Sequence, residues 1–554
     1  MLQPSPPPRL SHLRRVVWSR SAATVWALCS LAGCSADSFS RGVEDDAWQR
    51  VDGAAQELRA ARMAEAVRPA PAAPEPAQSR PTSQPDSAPA SRSAAESRPV
   101  SGPALGLAGA LRTAVQRNRD YQSRKEGLLR QGFALELTRF EFGPQFQSVV
   151  SYLWGGAEGA ARNHTVTGTL GATQILPTGG TLGLNSALST VRSTGTGVTP
   201  ATDKSWSTSV GATLTQPLLR GFGHEVSHEA LTQAERSLLY AVRDFELYRE
   251  NFVIGIARSY YDLVSQEQQL GNEEENHKQA VFDRRKSEAL RGFGRDDDQT
   301  VFRARRRELE SLDRLIAARA AYERALDEFK ILLGQDLGAA LAISPAEPPF
   351  QPVRLDVASA VLAARQNRLD LRTERQRVED SERSVRIAAQ RLLPDLNATA
   401  SYALGGADDV LRGAAPDVWS ATAGVSLGLP LQRLPEKQAY RNALIDLEQA
   451  RRGLTLKLDQ LELDVRDALR RLASVEQRIA LQSEQIVQEQ RAVTGTRLRY
   501  EAGELDNRDL LEARQSLISA QNELIRLKVD HFIGRLSLLR DLGLLFLDED
   551  GMWQ

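Results

Sequence analysis

The chain has 554 residues, a formal net charge of -1 and 25% charged side chains, so no positive excess draws it to nucleic acid or to an anionic membrane surface. Its two cysteines, Cys29 and Cys34, both fall near the start, which excludes a disulfide framework, a cysteine metal cluster or a cysteine nucleophile from the remainder. No later apolar run reaches the ~18 residues of a spanning helix, so any membrane crossing must be made by strands.

Arg9, Arg14, Arg15 and Arg20 precede a short apolar run through Val25, Trp26, Ala27 and Leu28, the plan of a secretory signal peptide over residues 1–33. The run closes on Leu31-Ala32-Gly33-Cys34, which resembles a bacterial lipobox. That resemblance implies lipid attachment at Cys34, and the following Ser35 suits the outer membrane. Residues 34–103 form the expected anchored segment. It has a modest helical stretch around Trp48, Val51, Leu58 and Met63, then an Ala/Pro/Ser-rich linker that cannot bury a core.

From Ala104 the chain repeats itself. Asp120, Pro144, Ser151-Tyr152 and Gly155-Gly156 return 250 residues later as Asp370, Pro394, Ser401-Tyr402 and Gly405-Gly406. Trp206, Pro217 and Leu218 return at an offset of 213 as Trp419, Pro430 and Leu431, and Gly294 and Gly334 at 209 as Gly503 and Gly543. The spacing predicts one repeat over 104–343 and a second over 344–547, joined at a Pro-rich segment starting at Ser344 and followed by a tail, 548–554. The first repeat carries 37 extra residues in its strand region, the difference between the 250 and 213 offsets.

Each repeat opens with a helical pattern; in the second, Val361, Ala364, Leu369, Leu371 and Val378 make one apolar stripe that stops at Leu393-Pro394. Strands follow. Trp419, Ala421, Ala423, Val425, Leu427 and Leu429 alternate with Ser420, Thr422, Gly424, Ser426 and Gly428. Trp206–Leu214 and Leu396–Leu404 alternate in the same way. A soluble half-buried sheet would also alternate, but its polar row would be rich in Lys and Glu. Here it is Ser, Thr and Gly, the strands run to ~10 residues, and Trp or Tyr sits near their ends, as in a membrane barrel. The extra residues hold two more alternating runs, Thr165–Ile175 and Thr181–Thr190, joined at Pro177-Thr-Gly-Gly between polar loops at 155–163 and 191–204. They predict an added hairpin, so the wall has four or six strands per chain.

Long heptad patterns come next. Leu444, Leu447, Leu454, Leu458, Leu461, Val465, Leu469, Leu472 and Ile479 predict a helix over 436–502, ~100 Å long. The chain turns at Gly503 and returns through Leu511, Ile518, Ile525, Val529, Phe532, Leu536 and Leu539 to stop at Gly543. Residues 225–333 predict the same hairpin in the first repeat, turning at Gly292-Phe293-Gly294.

Helix, strands and coiled-coil hairpin, twice over, resemble the TolC-like outer-membrane efflux proteins across 104–547. The stretches carrying the resemblance are Asp370-Leu371 through Leu393-Pro394, Gln216-Pro217-Leu218-Leu219-Arg220-Gly221, and Arg499-Tyr500-Glu501-Ala502-Gly503 leading to Leu510-Leu511-Glu512-Ala513. The resemblance implies a mixed α and β membrane protein. In that plan three copies build an outer-membrane β-barrel continuous with a periplasmic α-helical coiled-coil barrel, with two internal repeats per protomer. It implies partners too: a periplasmic adaptor docked at the tip turns Gly294 and Gly503, an inner-membrane transporter, and outer-membrane lipid. It implies no cofactor and no enzymatic activity. In the family, acidic residues just past the second tip glycine form a constriction, and Asp509 and Glu512 match them. Three copies of this pair would repel one another and attract cations. In the first hairpin Thr300 and Arg303 take the matching places, and Arg303 is the candidate for a lock on the closed state.

One competing motif is literal: His224-Glu225-Val226-Ser227-His228 fits H-E-x-x-H, the spacing that sets two imidazoles and a general base on one helix face for zinc. It lies at a strand-to-helix junction whose counterpart is Lys437–Arg441, and a continuing heptad pattern leaves it without a third ligand. Gly221-Phe-Gly223 lacks the third glycine of a nucleotide loop and is expected to be a turn. The alternative to a channel is a non-conducting lipoprotein that bridges envelope layers by its coiled coil.

Overall fold

The computed structural model describes residues 104–554 except 157–161, 195–201, 294–296, 345–347, 412–413, 503, 506, 549–550 and 554, together with six helical positions between Gln49 and Ala60. Cys34 and the expected signal peptide lie outside the described residues, as do the tip glycines Gly294 and Gly503.

The opening helix expected of each repeat is two helices. In the first half α1 (Leu107–Arg117) and α2 (Arg119–Phe142) meet at Asn118, whose backbone is extended, φ -63° and ψ 127°. Its side chain accepts the Tyr121 amide at 2.8 Å and donates to the Leu332 carbonyl at 2.7 Å. Asparagine can satisfy backbone groups by itself, so it ends one helix and caps the next. In the second half α6 (Val357–Asn367) and α7 (Leu369–Gln390) meet at Arg368, with φ -68° and ψ 122°. Apolar spacing reports only which side chains are buried. Leu369 and Leu371 are buried beyond this break as Val361 and Ala364 are before it, so the stripe hides the break.

Six strands form one antiparallel sheet: β2 (Gln145–Gly155), β3 (Arg162–Ile175), β4 (Thr181–Thr194), β5 (Thr202–Pro217), β7 (Asp395–Asp408) and β8 (Val418–Gly428), hydrogen-bonded in that order. The added hairpin β3–β4 is thus part of the sheet. Its strands, and β5, run several residues into what composition reads as polar loops. Two short strands, β1 (Ala104–Leu105) and β6 (Ala342–Ile343), pair in parallel and tie the start of the first half to its end.

Below the sheet run the helical hairpins. A single turn, α3 (His224–Ser227), precedes α4 (Glu229–Gly292), which returns as α5 (Asp298–Leu333); α8 (Leu434–Glu501) returns as α9 (Asn507–Asp541). With 64 and 68 residues, α4 and α8 each reach about 100 Å at the usual rise per residue. Gly334 and Gly543 follow the two returning helices in the left-handed conformation, φ 68° and 70°. Each presses on the end of an opening helix: a Cβ on Gly334 would run into the Arg117 carbonyl, and one on Gly543 would lie 2.8 Å from the Asn367 carbonyl carbon.

Three apolar clusters hold the helices. The largest joins α1, α4, α5 and α9 through Leu111, Ile256, Tyr260, Phe329, Leu333 and Ile533, and takes in Leu545 and Trp553 beyond the last helix. A second joins α6 to α8 and α9 through Ala364, Leu461, Val465 and Leu538. The third packs Val51, from the N-terminal helical stretch, against Leu128, Leu238 and Leu369. The joint between halves is strapped across α8 and α9, where the Val353 amide donates to Glu476 at 2.9 Å and Phe350 packs on the buried His531.

Candidate functional site

Directly opposed residues of an antiparallel pair lie on the same side of a sheet, so the register sorts every strand residue onto one of two faces. Across the middle of the sheet the line Phe146, Ala172, Leu184, Ala212, Tyr402, Ala421 lies on one face. Parallel lines add Val150, Val166, Leu170, Leu182, Leu188, Val210, Leu214, Leu404, Val425 and Leu427 to it. The opposite face carries Gln147, Gly171, Gly183, Thr213, Thr399 and Gly424, with Ser151, Thr167, Ser189, Ser207 and Thr422. The alternation expected strand by strand is therefore in phase across all six. One face is predominantly apolar, broken by Ser148, Ser186, Thr190 and Thr208, and the other is mostly small and polar, with Val149 and Leu153 among it.

The apolar face is uncovered over most of its extent: Phe146, Val150, Tyr152, Leu170 and Val425 are 49% to 81% exposed or within that range, as are Tyr402 and Trp419. A sheet that left this much apolar surface to water would aggregate, whereas hydrocarbon would cover it. Trp154, Trp206 and Trp419 cluster toward the end remote from the helices, where a membrane strand meets the interface. Lys204 lies 4.6 Å over the Trp206 ring there. Among the described residues neither outer strand has a second neighbour, so β2 and β8 present open edges.

At the helix end the sheet is pinned. The turn between β3 and β4 folds against the exit of β5: the Gly223 amide donates to the Thr178 carbonyl at 3.1 Å, Thr178 Oγ1 to Gln216 at 2.7 Å, and Ser227 Oγ to the Pro177 carbonyl at 3.1 Å. Gly179 takes φ 90° and Gly221 φ 84°, and a Cβ on Gly179 would collide with the Gly221 carbonyl. Gly221-Phe-Gly223 is the expected turn.

At the far end of the helices Asp509 and Glu512 stand exposed in the first turns of α9, three residues apart and so on one side of it. Glu512 lines a groove of about 540 Å³ with Gln482, Gln485, Glu489, Gln515 and Glu523. Arg303 is not brought to these carboxylates within one chain; it hydrogen-bonds Gln299 on its own helix at 3.5 Å. Asp297 caps α5, accepting from the Thr300 hydroxyl and amide at 2.6 and 2.9 Å, and these bonds hold its carboxyl below the usual range. Asp298 pairs with Arg291 at 2.6 Å across the turn. Sequence reasoning missed the contact between the two hairpins, where Lys286 of α4 donates to the Tyr500 hydroxyl at 2.9 Å and lies 4.5 Å from its ring centre.

The H-E-x-x-H string is not arranged for zinc. The helix breaks at His228, and the two imidazoles stack face to face, 4.3 Å apart and 10° from parallel, instead of converging on a point. Glu225 is held by Arg386 of α7, and His228 Nδ1 lies 2.8 Å from Ser227 Oγ. Burial, and then the neighbouring His224, lower the His228 pKa.

Nothing in the periodicity signals the polar seam between α4 and α7. Tyr240 donates to Asp380 at 2.5 Å, and Arg383 reaches Glu229, Asp380 and Gln233 at 2.6, 2.9 and 3.1 Å. Burial and the Asp380 bond raise the Tyr240 pKa. In sequence these residues look like the solvated flank of a coiled coil, and only the packing of one half on the other makes them partners.

The sequence profile of the outer membrane efflux proteins matches residues 361–543. No curated protein matches the sequence. Among solved structures, the CmeC outer membrane channel of Campylobacter jejuni aligns over 79% of this chain and 85% of its own, at 16% identity and a TM-score of 0.60. VceC of Vibrio cholerae aligns over 79% and 96%, at 17% identity and a TM-score of 0.59. CusC aligns over 79% and 92%, at 16% identity and a TM-score of 0.58. Residues 361–543 thus match the outer membrane efflux protein family by sequence, and the helix and sheet body shares the fold of these channels.

Proposed function

We propose that the protein is an outer-membrane channel subunit, the exit duct of a tripartite efflux or type I secretion system. The observation that carries this reading is the sheet: one face is mainly apolar, the other mainly small and polar, and among the described residues both edges are open. In lipid, unpaired backbone groups at an open edge cost several kcal/mol each, so the strands must close with other copies. The family's homotrimer, built from two repeats per chain, provides that closure. The polar face then lines an aqueous bore and the apolar face meets the bilayer.

The two lateral edges of the chain are different and complementary. β8 runs directly into α8, so one edge is β8 with α8. On the other, β2 follows α2, which like α5 packs on α4. Outward-facing apolar residues mark α5 and α8. Phe302, Leu309 and Ile316 on α5 stand 70%, 60% and 60% exposed at a heptad spacing, and Leu498, Val487 and Leu481 are exposed on α8. Counted from the tip turns at 294 and 503, Leu309 and Val487 lie at nearly the same height, as do Ile316 and Leu481. Copies therefore join head to tail, β8 and α8 of one against β2 and α5 of the next, and the ring closes.

Lipid attachment at Cys34 holds the chain at the outer membrane, an adaptor docks at the tip turns around Gly294 and Gly503, and Asp509 and Glu512 form the gate there. Across a planar bilayer the purified protein is expected to pass a small, cation-selective current. Replacing both Asp509 and Glu512 by Ala should raise conductance several-fold and reduce the preference for cations. Absence of current in both proteins would favour a non-conducting structural lipoprotein instead.

A further inference from the structure

The first half of the chain contributes four strands to the wall and the second only two. We propose that β3–β4 is an insertion that widens the outer-membrane section to porin calibre: six strands from each of three copies make an eighteen-stranded barrel. This rests on the channel reading above and specifies its bore.

Three observations carry it. First, the hairpin is fully paired within the sheet and does not fold out as a flap. β3 bonds along the whole of β2 on one side and β4 on the other, from Gln145↔Thr173 to Gly155↔Asn163 and from Arg162↔Thr194 to Ile175↔Thr181. Second, it preserves phase. Phe146 leads through Ala172 and Leu184 to Ala212, so β2 and β5 keep their apolar residues on the same face with the hairpin between them as they would without it. In the other half β7 and β8 pair directly with that same parity, Leu396 opposite Leu427. Two is the smallest number of strands that can be inserted without inverting strand direction, and the unshifted register keeps the lipid and water faces intact. Third, the hairpin is locked at the helix end, where its turn packs into the exit of β5 through Thr178, Gly179 and Gly221.

Barrel diameter grows about linearly with strand number, so eighteen strands give about one and a half times the width of twelve and roughly twice the cross-section. Barrels of 16–18 strands leave an open aqueous channel. The outer-membrane section is then never the narrowest point of the duct. Passage is limited at the helical tip, and the outer section accepts solutes too bulky for a twelve-stranded ring.

Single cysteines in membrane-embedded protein test this, with the unaltered chain as the blank. Asn185→Cys on β4 and Thr422→Cys on β8 lie on the polar face; Ser186→Cys and Ala423→Cys lie on the apolar face. A water-soluble, membrane-impermeant maleimide should label the first pair at least ten times faster than the second. If β8 shows the contrast and β4 labels equally at both positions, the hairpin stands outside the wall; the inference fails while the channel reading survives. If neither strand shows it, the channel reading itself fails. End-on averaged electron micrographs of the unaltered assembly supply a measurement free of any variant: a ring of eighteen-strand width supports the inference, and one of twelve-strand width overturns it.

Discussion

Asp370 shows how one carboxylate can join three elements. It accepts from Arg368 Nε at 2.9 Å and from the Leu371 amide at 2.8 Å, and pairs with Lys457 of α8 at 2.9 Å. Burial alone would raise its pKa; Lys457 and Arg368 more than offset that and hold it below the usual carboxylate value. A depressed folded pKa contributes stability above the unfolded value, ~3.9, and loses it as the pH falls through the folded one. Thermal stability of the assembly should therefore drop steeply in acid below about pH 4. Asp370→Asn should lower stability at pH 7 by about 1–3 kcal/mol and flatten the acid limb, as read by thermal unfolding across a pH series. The residue was visible in the sequence as a repeat marker, but its partner Lys457 lies 87 positions away and was not.

At the level of elements, periodicity carried most of the fold. The strand rows, the long hairpins and their turns were legible because a buried or lipid-facing stripe leaves a period of 2 or 3.6 in the sequence. The expected helix over 436–502 is α8, Leu434–Glu501. What stayed hidden were features that leave the apolar pattern unchanged: the breaks at Asn118 and Arg368, and the polar seam of Tyr240 and Arg383 on Asp380. The face assignment yields a prediction of its own. Leu184→Arg and Asn185→Arg are neighbours on β4 with opposite surroundings. The first should cost about 2–4 kcal/mol and reduce assembled protein in the outer membrane, as for arginine at a bilayer midplane. The second should assemble normally and shift the channel toward anions in reversal-potential measurements.

For the whole molecule, the channel proposed above needs more than one copy. Among the described residues the sheet of one chain has two open edges, an apolar heptad row stands exposed on α5, and Leu481, Val487 and Leu498 stand exposed on α8. Leu309→Cys with Val487→Cys should give covalent dimers and trimers on oxidation, while either change alone gives neither, scored on non-reducing gels. Trimers detected by an amine cross-linker without this disulfide would retain the trimer and reject the head-to-tail seam. Asp509 and Glu512 share one side of α9 and Arg303 lies on the first hairpin, the positions the sequence gives them; a gating role for the three is a proposal.

The residues beyond the last helix have a consequence for how the protein is made. Leu545 is 2% exposed, the Asp548 carbonyl accepts from the buried Arg249 at 2.7 Å, and Trp553 packs 5.9 Å from Phe532, so the end of the chain completes a core laid down by α1 and α4. A chain emerging from its N-terminus cannot close that core until its final residues have arrived. Cleavage before Leu545 would therefore loosen the core of the half synthesised first.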